Sequence, residues 1–168
     1  MVGSQHTTSS TAARRAGKEE KERLPRDAGR QRGGLNNPTT LLGEAYAHSD
    51  VRSPVFFLVT HAVNVLEIVS DFHQKRAASF GGVKLQHFSL GQGLEELVGA
   101  RLEQAAQNGD WIVLENLHLV AEWLPAFEAT MATWTGPEVN SRFRVWVSAV
   151  PTAGFPASIL EKSVKVAL

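Results

Sequence analysis

The chain reads as an α/β domain with a parallel sheet between helices. Short, continuous apolar runs alternate with stretches whose apolar residues recur at helical spacing. Strands in such an alternation pair in parallel, because each return crosses over through a helix. Glycine-bearing breaks separate the runs at Gly81-Gly82, Gly91-Gln92-Gly93, Asn108-Gly109 and Gly136-Pro137.

The elements follow in order from Ser53. Pro54 to Val59 is an apolar run, expected of a strand covered on both faces. Residues 62–79 read as a helix, with Ala62, Val65, Leu66, Val69 and Phe72 on one stripe. Lys84 to Leu90 reads as a second strand. The next helix carries Leu94, Leu97, Val98, Leu102 and Ala105 as its buried stripe, and Asn108-Gly109 ends it. Trp111 to Leu114 is a third strand. Val120, Trp123, Leu124, Phe127 and Met131 make a third helical stripe. Phe143 to Val150 is the fourth strand, and Val164-Lys165-Val166 starts a fifth.

Residues 1–40 are of a different kind. They hold 8 Lys+Arg against 4 Asp+Glu, and Val2, Leu24 and Leu35 are their large aliphatic side chains. So little apolar surface does not offset the entropy lost on ordering, so the segment reads as a disordered, low-complexity tail. Residues 41–168 carry 9 Lys+Arg and 13 Asp+Glu and form the compact part. Its mild negative charge argues against a nucleic-acid face, which needs a clustered basic footprint. No apolar run approaches the roughly 20 residues that span a bilayer. The chain has no cysteine, which excludes disulfides, thiol catalysis and Cys-based zinc sites.

Five short motifs stand in a fixed order: Ser89-Leu90-Gly91-Gln92-Gly93; Trp111 to Leu119 with Trp123 beyond; Phe143 to Ser148; Phe155 to Leu160; and Ser163 to Val166. In order and spacing they resemble the last, sixth AAA+ module of the dynein heavy chain, over about Leu41 to Leu168. The resemblance implies an AAA+ large-subdomain fold, with five parallel strands between helices. It also implies a place in the six-module ring of a minus-end-directed microtubule motor. On that basis the expected partners are neighbouring AAA+ modules, and microtubules and dynein intermediate and light chains through the parent motor. The expected location is the cytoplasm and cytoskeleton, or the axoneme of a cilium or flagellum. A heavy chain is far longer, so the expectation is a fragment.

ATP chemistry can be tested residue by residue. A phosphate cradle needs Gly-x-x-x-x-Gly-Lys-Ser/Thr after the first strand, where amides, lysine and hydroxyl grip phosphate and Mg²⁺. Here Thr60 to Leu66 contains neither glycine nor lysine. The third strand of an active module ends in Asp-Glu; this one ends in Glu115-Asn116. Glu115 keeps a carboxylate at the metal-facing position. Asn116 holds the base position, and an amide takes no proton at neutral pH, a loss of about 10²–10⁴-fold in rate. Ser148 ends the fourth strand at the family's sensor place. Glu115, Asn116 and Ser148 are therefore expected to be vestigial nucleotide-facing positions, with no catalytic residue, no metal site and no cofactor in this module. ATP and Mg²⁺ belong to the parent motor.

Other candidates carry structural readings. His118 is expected to pack or hydrogen-bond at a strand-to-helix junction, since zinc needs three or four ligands. Trp111, Trp123 and Trp146 are expected in the core. Gly91-Gln92-Gly93 is expected to be a tight turn. Arg142 and Arg144 are expected in surface pairing or an inter-module contact. A second functional reading is a small nucleotide- or phosphate-binding enzyme using Glu115, Asn116 and Ser148 at the strand ends.

Overall fold

The structure is a computed structural model that describes residues 37–60 and 62–168. The tail reading of residues 1–40 lies outside the described residues up to residue 36.

The described part opens with a helix that the pattern did not announce, α1 (Pro38–His48). Its start is written locally. Asn37 is the N-cap, its Oδ1 accepts the Thr39 N–H at 3.0 Å, and Pro38 takes the first helical position. Three residues assigned to the tail, Pro38 to Thr40, therefore belong to a helix whose Leu42 is fully buried.

Five strands follow: β1 (Val55–Leu58), β2 (Leu85–Ser89), β3 (Trp111–Glu115), β4 (Arg144–Ala149) and β5 (Val164–Ala167). They form one sheet in the order β2-β3-β4-β1-β5, and every pairing is parallel. Four helices lie between or beside them: α2 (Val65–Arg76), α3 (Glu95–Asn108), α4 (Leu124–Ala132) and the short α5 (Ala157–Glu161).

The pleat sends alternate side chains into two cores. Phe56, Ile112, Leu114, Val145 and Val147 meet the residues of α3 and α4. Val55, Phe57, Trp111, Val113 and Trp146 meet α1 and α2. Trp111 is the hub of the second core. Its ring lies 4.6 Å from Phe80, 5.0 Å from Trp146, 5.3 Å from Tyr46 and 6.0 Å from Phe72, centroid to centroid. Each such pair contributes about 0.5–1.5 kcal/mol beyond area burial. Its indole N–H donates to the Arg142 carbonyl at 3.1 Å.

The helices differ from the sequence reading in instructive places. α2 starts at Val65, not at residue 62, because Asn64 caps it and leaves Ala62 outside. It tightens into a 3₁₀ turn, Ala77–Phe80, and stops at Gly81, whose φ is 57°. On α3 the buried stripe is Val98, Leu102, Ala105 and Ala106. Leu97 is 46% exposed, since it lies one residue, about 100° of helix, away from Val98. The third stripe is only partly one helix: residues 121–123 form a 3₁₀ turn, and α4 starts at Leu124. Trp123 is partly buried against the core, whereas Trp134, which no pattern singled out, is fully inside.

Arg142 and Arg144 both pair within the chain: Arg142 is exposed, in keeping with the surface-pairing expectation, whereas Arg144 is half-buried. Arg142 Nη1 donates to the carbonyls of Phe80 and Gly81, both at 3.2 Å. Arg144 donates to the Ser49 hydroxyl at 3.0 Å and carbonyl at 3.1 Å, and to the carbonyls of Ser141 at 2.8 Å and Phe143 at 2.7 Å. Its guanidinium sits 4.9 Å from the centre of the Tyr46 ring. Burial pulls its pKa below the ordinary arginine value. A fork of this kind suits arginine because its donors lie in one rigid plane.

Candidate functional site

In a parallel sheet the ligand edge is the carboxyl end of the strands. Here β1, β4 and β3 are neighbours, so the β1–α2 loop, Ser148 and Glu115 are carried on adjacent strands. The register pairs Phe57 with Ser148 and Leu114 with Val147, so Glu115 and Ser148 both lie one step beyond that last pair.

The β1–α2 loop is built unlike a phosphate cradle. Six glycines with positive φ occur among the described residues, and none falls between Val59 and Val65. The first turn of α2 already has an acceptor: Asn64 Oδ1 takes the Glu67 N–H at 3.0 Å. Glu67 adds a carboxylate where the helix dipole would otherwise attract an anion. Thr60 Oγ1 reaches the Leu168 carbonyl at 3.4 Å, so the end of the chain packs against this loop. His61 lies outside the described residues.

Glu115 and Asn116 both turn toward β2, the strand on the far side of β3 from β1. Glu115 Oε2 lies 2.6 Å from His87 Nε2, a pair that is ionic when the imidazole is protonated. Asn116 Nδ2 donates to Ser89 Oγ at 3.1 Å. Asn116 also has φ 63° and ψ 37°, and is the one non-glycine with positive φ among the described residues. Asparagine is one of the few L-residues that adopts this left-handed conformation routinely. The residue thus turns the chain out of β3 and into the 3₁₀ segment Leu117–Leu119.

Ser148 is 7% exposed and shares its face of the sheet with Phe57 and Trp146. His118 Nδ1 accepts the backbone N–H of Val150 at 3.2 Å, tying the β3 exit to the end of β4, as the junction reading expected. Gly91 and Gly93 have φ of 92° and 73°, which agrees with the tight-turn reading. Among the described residues no group of three or more His, Cys, Asp or Glu is placed to hold a metal ion. No helix of the described residues is long and apolar enough to cross a membrane.

His87 and Ser89 escaped the sequence reading. The available signal was the period of the second strand: both lie on one face, and a parallel neighbour ending in Glu-Asn brings the pairs together.

The charge of this edge is one-sided. Segments 59–67, 87–97, 115–123 and 149–158 contain Glu67, Glu95, Glu96, Glu115 and Glu122, and no lysine or arginine. A triphosphate brought here would meet like charge and no lysine or arginine to offset it.

The profile of the family described as "Dynein heavy chain region D6 P-loop domain" matches residues 50–167. The chain belongs to the dynein heavy chain family. Among similar proteins are mouse "Dynein axonemal heavy chain 3", 34% identical over 133 residues, and human "Dynein axonemal heavy chain 10", 33% identical over 121. A third is "Dynein beta chain, ciliary" of Tripneustes gratilla, 33% identical over 128 residues. These alignments cover 79%, 72% and 73% of this chain but only 3% of each relative.

Proposed function

We propose that this chain is the sixth, C-terminal-most AAA+ module of a dynein heavy chain and that it does not hydrolyse ATP. Its work is mechanical: it packs against neighbouring AAA+ modules and passes on rigid-body shifts driven by ATP at other modules. The parent protein would be a minus-end-directed microtubule motor carrying intermediate and light chains. ATP and Mg²⁺ would act in its other modules. The axonemal and ciliary names of the relatives support a place in the cytoskeleton of a cilium or flagellum. Glu115, Asn116 and Ser148 then mark a former nucleotide site.

One observation carries the reading: the β1–α2 loop lacks both glycine and lysine, and its helix is capped from within by Asn64. An amide at Asn116 and a loop edge with five glutamates and no lysine or arginine support it. The test is a calorimetric titration of the chain with Mg·ATP, with phosphate release followed in parallel. No saturable binding up to about 1 mM, an interaction weaker than about 4 kcal/mol, is the expected result. Micromolar binding that Glu115→Gln abolishes would overturn the reading in favour of a nucleotide enzyme.

A further inference from the structure

The same acidic edge holds a cleft of about 600 Å³ between the β2–α3 turn and the segment that follows β3. Gly91 and Gly93 form one wall, and Leu119, Val120 and Trp123 the other, with Glu95 and Glu122 among the lining. The apolar part is open to solvent in a way the rest of the core is not. Leu119 is 60% exposed and Val150, joined to this segment through His118, is 47% exposed. Trp123 is held from behind by Phe127, ring centroids 5.4 Å apart, and presents a partly exposed indole to the cleft. The two walls meet where Gly91 faces Leu119: a Cβ on Gly91 would lie 3.2 Å from Leu119 Cδ1. Neither the Glu95 nor the Glu122 carboxylate has a hydrogen bond or ion pair with another described residue, and the four loop segments of this edge supply no lysine or arginine to pair with them.

We infer that this cleft docks a basic amphipathic segment of a partner protein, with an arginine between the Glu95 and Glu122 carboxylates and its apolar neighbours on Leu119 and Trp123. Charge complementarity selects the occupant. Unpaired carboxylates beside an exposed aliphatic and an indole face match a guanidinium, which pairs with carboxylates and also stacks on aromatic rings. The inference deepens the proposed mechanical role by giving the chemistry of one contact surface, and it rests on that role. Its test is independent of nucleotide, so a failed peptide titration and a failed nucleotide titration are told apart.

The probe is a capped peptide alternating leucine and arginine, with an alternating leucine–glutamate peptide as control. Both are titrated into the full chain by calorimetry. Tryptophan emission is followed in parallel, because Trp123 is the indole not buried in the core. The arginine peptide is expected to bind and to shift the emission, and the control is not. Glu95→Gln with Glu122→Gln is expected to weaken binding about tenfold, and added salt to weaken it further. Leu119→Ser, at an exposed position that leaves the core intact, is expected to weaken it as well. Equal binding of both peptides, indifference to the double glutamine variant, or no saturation below about 1 mM would overturn the inference. So would sedimentation showing a dimer of the chain that Leu119→Ser disperses, since the face would then belong to a second copy.

Discussion

Asn116 turns the chain out of β3 in a left-handed conformation, and its side chain bonds across to β2. Replacing it separates the two roles. In Asn116→Ala the backbone stays left-handed, at φ 63°, without a side chain that tolerates it. That costs about 1–2 kcal/mol. The bond from Nδ2 to Ser89 Oγ is also lost, at about 0.5–1.5 kcal/mol. The sum is about 1.5–3.5 kcal/mol. Asn116→Gly loses the same bond but adopts the left-handed conformation freely, with an entropy cost of about 0.5–1 kcal/mol. The glycine variant is therefore expected to be more stable than the alanine variant by about 1 kcal/mol. Urea unfolding, read by the tryptophan signal, measures the difference from the midpoints at unchanged slope. An alanine variant as stable as the glycine variant would refute the reasoning, because the strained turn would then carry no weight. Asn116→Glu, which sets a second carboxylate beside Glu115, is expected to produce no phosphate release, since the loop edge still has no lysine or arginine for phosphate.

Other outcomes follow from single contacts. Arg144→Met removes four hydrogen bonds that join α1, the β4 entry and its preceding loop, and is expected to destabilise the chain by about 2–4 kcal/mol in thermal unfolding; Arg144→Lys should recover only part. Gly91→Ala should cost more than Gly93→Ala, because both need positive φ but only the first Cβ meets Leu119; chemical denaturation of the two variants compares them. Hydrogen bonds from Ser158 and Lys162 hold the Glu128 carboxyl below its ordinary value of 4.5. A folded-state pKa depressed in this way adds stability above the unfolded value that is lost as pH falls through the folded one. Urea midpoints from about pH 7 down to about pH 3 should therefore fall less steeply for Glu128→Gln than for the parent.

The five strands and the helices between them were legible because buried parallel strands must be apolar throughout and helices must show a stripe. Local chemistry also marked most ends: Gly109, at φ 81°, closes α3 where Asn108-Gly109 predicted it. The composition of the β1–α2 loop was equally plain in the sequence. Thr60 to Leu66 holds neither glycine nor lysine, and folding does not change that. What periodicity could not place was Leu97 against Val98, since a stripe of helix is wide enough to admit either until a facing sheet selects one. Nor could it find α1, whose apolar side is Leu42, Ala45 and Tyr46 and whose burial depends on Trp111 and Phe72 arriving from distant strands and helices. The period of the second strand put His87 and Ser89 on one face, but that this face meets Glu115 and Asn116 was decided by the pairing of β2 with β3. Side-chain types and their order along the chain decide which chemistry is possible. Which carboxylate meets which imidazole, and which is left unpaired at the rim of a cleft, depends on strand order, and strand order exists only once residues far apart in sequence have packed into one sheet.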